Sequence, residues 1–251
     1  MNSLIYSPAH SMTSLVPKFI KDTGFREPAD NLYFLEARRG TYLVKHTALF
    51  SASVRVAGMP SCRLLDHKER IESRFGRIPR GVLSRVFGFF RMMLVRPGGE
   101  GIVILYYSLA TRKFRVKVPS QNAFCRCNNL TGDVDELHVC YGRMVRPTGF
   151  VKLGTIHSHG RFPAFHSRID DADEMHGEDG LHITMGCVHR KCPTLSVSFV
   201  VNGKRFMLNA KDVLDGKKEL VPLRPPASWL QEIPATPCNK QSRKIQRGNR
   251  K

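Results

Sequence analysis

Two histidines, a serine and an aspartate stand at fixed offsets in this chain: His157, His159, Ser167 and Asp170, in the string HSHGRFPAFHSRID. Two imidazoles and one carboxylate are a ligand set for catalytic zinc, which takes three groups from the protein and keeps a position for water. Zinc held this way lowers the pKa of that water toward neutrality and polarises a carbonyl. A serine hydroxyl in the same string could contact a reacting oxygen. One zinc ion per chain is the expectation from these residue types.

Local structure must bring the four together. A spacing of two places both imidazoles on one face of a strand, and residues 150–156 read as a strand running into the pair. Residues 160–166 contain Gly, Pro and aromatics and read as a loop. Ser167 then reads as a helix N-cap, and Ser167-Arg168-Ile169-Asp170 has the spacing of a capping box, with Asp170, Asp171, Asp173 and Glu174 in the first turns. A strand end, a loop and a helix start would converge three ligands on one point, Asp170 reaching back from the helix.

H-x-H-x7-S-x2-D resembles the signature of the JAMM/MPN+ zinc metallopeptidases, the JAB domain. Residues 164–167, 170–174 and 180–183, and the run at 99–107, resemble the prokaryotic JAB branch; the likeness covers residues 79–210. It implies a further catalytic glutamate near an upstream strand. Glu100 fits best, because it follows a helical stretch and opens the apolar run 102–107. Asp133, Asp135 and Glu136 in a polar loop, and Glu72 in a charged segment, fit less well. Gly160 departs from the family pattern, which has proline after the second histidine; a looser loop is expected there. In the chemistry the resemblance implies, Glu100 accepts the proton of the attacking water and passes it to the leaving amine, and Ser167 hydrogen-bonds the oxyanion. The implied substrate is the C-terminal tail of a ubiquitin-like protein, as a conjugate or a precursor, with an E1-like protein as a further partner. That tail could add as a strand to an exposed sheet edge beside the metal.

Two other readings compete. One is a non-catalytic MPN-like binding scaffold, against which the intact ligand set argues. The other is a nucleic-acid-associated protein: the chain has 251 residues and a formal charge of +19, which draws acidic partners. Part of that charge lies in a basic tail (Lys240, Arg243, Lys244, Arg247, Arg250, Lys251) that has no interleaved aromatics. A zinc deaminase is disfavoured because Pro-Cys-x-x-Cys is absent. The seven cysteines have no framework spacing and read as reduced thiols of a cytoplasmic protein. No apolar run is long enough for a membrane span, and the N-terminus does not read as a signal peptide.

The expected fold is α/β of the α+β kind, a mixed β-sheet flanked by helices, JAB/MPN-like, with a small β-rich N-terminal extension. The expected divisions are 1–78 for that extension, 79–221 for the metallopeptidase domain, and 222–251 for a Pro-rich then basic, extended and partly disordered tail. Residues 1–30 read as a loose lead-in, 32–56 as a β-meander, and 58–78 as a polar stretch holding a short irregular helix. Pro79 begins a helix whose apolar stripe is Val82, Leu83, Val86, Phe87, Phe90, Met93 and Leu94. Strands are expected over 100–107, 113–118, 137–141, 150–157, 181–188, 194–201 and 205–209, the last two joined by a type I′ turn at Asn202-Gly203. His182 alternates with apolar residues and reads as a core histidine; His166 is left without a role.

Overall fold

The computed structural model describes residues 16–58, 61–95, 99–127, 134–142, 144–215 and 220–231. The basic tail and Asp133 lie outside them. The fold is α+β, with sheets that mix parallel and antiparallel pairs and a few helices, as the patterning predicts.

A six-stranded sheet carries the site. Its strands are β6 (Ile102–Tyr107), β7 (Phe114–Lys117), β10 (Val151–Ser158), β11 (Gly180–Gly186), β12 (Thr194–Val201) and β13 (Lys204–Leu208), in the order β13-β12-β11-β10-β6-β7. Only β10 and β11 run parallel. The crossover between them contains helix α2 (Arg168–Met175). Alternation sorts the side chains by face. Val103, Leu105, Ile156, Leu181, Ile183, Met185, Val197 and Phe199 enter one apolar core. The opposite row holds Thr155, His157, His182, Thr184 and Ser198, all buried and all polar. The cross-strand pairs His157↔Thr184 and His182↔Ser198 keep that row in register. Asn202 and Gly203 both have positive φ, 49° and 71°, as a type I′ turn requires.

Helix α1 (Arg80–Met93) covers the apolar face. Pro79 is its N-cap, with ψ 138°, rather than its first helical residue. The expected stripe is buried or packed against the core, and so is Phe89 on the next face. That burial comes from residues 220–231. Leu223 N–H donates to the Ser84 carbonyl at 2.9 Å, a Cβ at Gly88 would collide with the Leu223 carbonyl, and Trp229 meets Phe89 edge-on at 5.8 Å. The Pro-rich stretch is therefore packed on α1 as far as the short helix α4 (Ala227–Gln231). An earlier short helix, α3, spans Ala210–Val213.

The N-terminal sheet has the order β1-β2-β3-β4-β5: Lys18–Ile20, Leu32–Ala37, Gly40–His46, Phe50–Ala57 and Arg70–Ser73. The meander is as expected. Two parts of the expectation are corrected. Residues 18–20 pair in parallel with β2, and the polar stretch after Gly58 supplies β5 rather than a helix, because Ile71 packs against the core beside Ala52. This sheet is not a separate body. Phe50, Ala52, Val54, Phe75 and Ile78 belong to the same core as α1 and the six-stranded sheet, Phe50 lying 5.0 Å from Phe199. Its other face keeps a smaller cluster of Tyr33, Leu35, Ala37, Tyr42 and Val44. A further hairpin pairs β8 (Gln121–Cys127) with β9 (Val134–Tyr141).

Candidate metal centre

His157 is the next-to-last residue of β10, on its polar face; His159 follows the strand end, its N–H donating to the Met185 carbonyl at 3.0 Å. The chain then turns. Gly160 has φ 54°, which the fixed φ of proline cannot reach. The expected looseness is not found. Val188 N–H donates to the Gly160 carbonyl at 2.8 Å, and Cys187 N–H to that of Phe162 at 2.6 Å. A side chain at Gly186 would strike Pro163 and Ala164, so this loop lies directly on β11.

Ser167 caps α2 in a complete capping box. Its Oγ accepts from Asp170 N–H at 3.2 Å, and its own N–H donates to Asp170 Oδ2 at 2.8 Å. The box fixes the carboxylate as well as the helix end. Asp170 Oδ2 lies 3.2 Å from His159 Nε2, Asp170 Oδ1 lies 3.3 Å from His157 Nε2, and the two imidazole nitrogens are 3.2 Å apart. Each imidazole thus meets its own carboxylate oxygen, and one ligand atom from each of the three groups lies within 4.8 Å of the others. A tetrahedral ion with bonds of about 2.0–2.1 Å has ligand edges of about 3.3–3.4 Å. The donor set and its spacing therefore fit a metal ion, and it is the one such group among the described residues.

The electrostatics agree. Burial alone pushes the His157 imidazole down, yet hydrogen bonding to and the charge of Asp170, with Glu174 and Glu100, carry it above its ordinary value. Burial would raise the Asp170 carboxyl, but His157 and His159 hold it well below the usual carboxylate range. The site is built to keep negative charge where a cation would sit.

Glu100 is brought to the same place by strand register. Ile102 pairs with His157, Ser158 N–H donates to the Gly101 carbonyl at 2.9 Å, and Gly101 N–H to Ser158 Oγ at 3.0 Å. Glu100 thus lies across from His159, 7% exposed. Desolvation raises its carboxyl to about 8, with His157 lowering it and Asp170 raising it. Gln121, to which no sequence signal pointed, anchors this strand start. The β6–β7 pairing stops at Ile104, and the Gln121 carboxamide takes up both backbone groups of Ile102, accepting at 2.7 Å and donating at 2.9 Å.

Glu100, His157, Asp170 and His182 line a cleft of about 110 Å³, walled by Val139 and Tyr141 of β9, by Lys152, Gly154 and Thr155, and by Gly177–Gly180. Phe165 is 50% exposed beside it and meets His159 edge-on at 4.6 Å. Of the five residues singled out by sequence, Glu100, His157 and Asp170 line this cleft, His159 Nε2 adjoins His157 and Asp170, and Ser167 is tied in through its capping bonds to Asp170. His182 is not a ligand: its Nδ1 lies 2.9 Å from Thr155 Oγ1, and burial, then Arg205 and His157, lower it to about 3. His166 lies beside Ser196 Oγ at 3.1 Å, lowered to about 4 by burial and Arg205. Glu174 and Arg205, which joins it across 2.6 Å, were not recognised from sequence.

No protein-family model and no curated protein matches this chain. No helix among the described residues is long and apolar enough to cross a membrane.

Proposed function

We propose that this protein is a zinc-dependent metallopeptidase that hydrolyses a peptide or isopeptide bond at the C-terminal tail of a ubiquitin-like protein. The observation that carries the reading is the convergence of His157, His159 and Asp170 beside the buried Glu100, with Ser167 capping the helix that presents Asp170. His157, His159 and Asp170 would hold the zinc. When bound, zinc supplies Lewis acidity toward the scissile carbonyl and acidifies water.

The chain's own residues account for the proton movements. Glu100, kept out of bulk water, accepts a proton from the attacking water and delivers it to the amine nitrogen as the C–N bond breaks. Its upward shift sets it near the neutral range where a carboxyl can both take and give a proton. Ser167 Oγ accepts from Asp170 N–H, so its own hydrogen is available to donate to the oxygen of the tetrahedral intermediate. The substrate class rests on the resemblance to JAB metallopeptidases. The substrate strand does not pair with β10, whose two edges are taken by β6 and β11.

The test uses zinc-loaded full chain and a ubiquitin-like protein with a C-terminal extension, cleavage being read by intact mass. Wild type is expected to release the extension. Glu100→Gln should keep its zinc and lose roughly 10²–10⁴-fold in rate, the usual worth of a general base. Wild-type turnover in Glu100→Gln, or no cleavage by zinc-loaded wild type, would overturn the reading.

A further inference from the structure

Behind the three ligands lies a second, buried cluster that the reaction above does not use. Glu174, one turn beyond Asp170 on α2, is 7% exposed. Its two carboxylate oxygens face different groups. Oε2 accepts from Arg205 Nη1 at 2.6 Å and lies 3.7 Å from His166 Nδ1. Oε1 lies 3.4 Å from His182 Nδ1 and 3.8 Å from His157 Nδ1. Arg205 arrives from β13, and its Nη1 also donates to Ser198 Oγ at 2.6 Å and its Nη2 to Asp171 at 2.9 Å.

The orientation of His157 gives this cluster its meaning. Nε2 points at His159 and Asp170, so this ring would hold a metal through Nε2 and would then carry its proton on Nδ1. The group facing Nδ1 is the Glu174 carboxylate. Metal-binding imidazoles usually give their second N–H to a carboxylate, a carbonyl or a water, which fixes the tautomer and the ring plane. At 3.8 Å the contact is an ion-pair distance that a small ring rotation would convert to a hydrogen bond.

We infer that Glu174, clamped by Arg205, is the positioning residue that holds His157 in its metal-binding tautomer and orientation. The inference rests on the metallopeptidase reading only for the presence of a metal at His157, His159 and Asp170. Arg205 fixes the carboxylate from a different strand, so the alignment of His157 depends on β13 as well as on its own strand. Residues far apart in the chain thereby set one ligand.

The test measures Zn²⁺ affinity of the full chain by competition with a chromophoric chelator, for wild type, Glu174→Gln, Glu174→Asp and Asp171→Asn. Glu174→Gln preserves volume but cannot accept with a full charge, and should weaken zinc about 10–100-fold, the usual cost of losing such a partner. Glu174→Asp keeps the charge and should recover part of the loss. Asp171→Asn removes another Arg205 contact from the same helix without touching His157, and should leave affinity at the wild-type level. Long-range nitrogen–proton correlation spectra of the histidines supply the second readout: His157 in zinc-loaded wild type should carry its proton on Nδ1. Equal affinity in wild type and Glu174→Gln, an equal loss in Asp171→Asn, or an Nε2 proton on His157 would overturn the inference. Failure of wild type itself to bind zinc would instead remove the metallopeptidase reading.

Discussion

Asp170→Asn is the substitution for which the structure allows the fullest reckoning. The carboxylate has two duties. Toward the helix, Oδ2 accepts the Ser167 N–H at 2.8 Å; an asparagine carbonyl oxygen can do the same, so most of the capping box is kept and α2 should remain. Toward the histidines, both oxygens stand 3.2–3.3 Å from imidazole nitrogens, and the amide removes the charge and one of the two oxygens. The expected loss is therefore in metal binding rather than in folding. An ion that binds only the folded state stabilises it by RT ln(1 + [L]/Kd), about 2.7 kcal/mol at one hundred times Kd. For a chain of this size one kcal/mol moves Tm by about 2–4 °C. Thermal unfolding of wild type should thus rise by about 5–10 °C when zinc is added at one hundred times its Kd. Asp170→Asn should begin within a few degrees of metal-free wild type and gain almost nothing. An equal zinc-induced shift in both proteins would refute the three-ligand assignment.

Two further outcomes follow from the positioning elements. Gly154→Ala places a methyl into the Leu181 carbonyl; the parallel β10–β11 pair must part, at about 1–3 kcal/mol from overpacking, which the urea midpoint will show, and an unchanged midpoint would mean the two strands are not so closely apposed. In the N-terminal sheet, His67 sits with Nε2 2.7 Å from Ser53 Oγ and Nδ1 3.0 Å from Lys21 Nζ, and burial, then Lys21 and Arg70, lower it from 6.5 to about 4. The unfolded chain then binds more protons between those values, so this group's contribution is full above pH 6.5 and is lost as pH falls toward 4. The drop in urea midpoint between pH 7 and pH 4.5 should be smaller in His67→Gln than in wild type; an equal drop would remove His67 as a source of acid sensitivity.

Legibility in the sequence followed the range of the interactions. His157 and His159 share a strand period, and Ser167 and Asp170 share a capping box, so the ligand set lies within one short stretch whose geometry is local. The hairpin at Asn202-Gly203 and the α1 stripe were readable for the same reason. Glu100 needed the resemblance to a family, because its approach depends on the pairing of Ile102 with His157 across two distant segments. Gln121 carried no signal: a glutamine that caps the open edge of another strand has no periodicity to betray it. The boundary at residue 79 came from a helix start and from the reach of the resemblance, while the core runs across it through Phe50, Phe75 and Phe199.

The chemistry of the centre was set by residue types and spacings that any extended strand followed by a capped helix would express. Only the tertiary structure decided how those ligands are held. The Glu174–Arg205 clamp joins residues 31 apart in the chain, and it forms because β13 pairs with β12 in a register that brings Arg205 level with Val200, on the same face as Ser198. The packing of residues 220–231 on α1 depends likewise on Gly88 leaving room for the Leu223 backbone. Such contacts arise from register and close approach between segments, and neither is encoded in the periodicity of a segment taken alone.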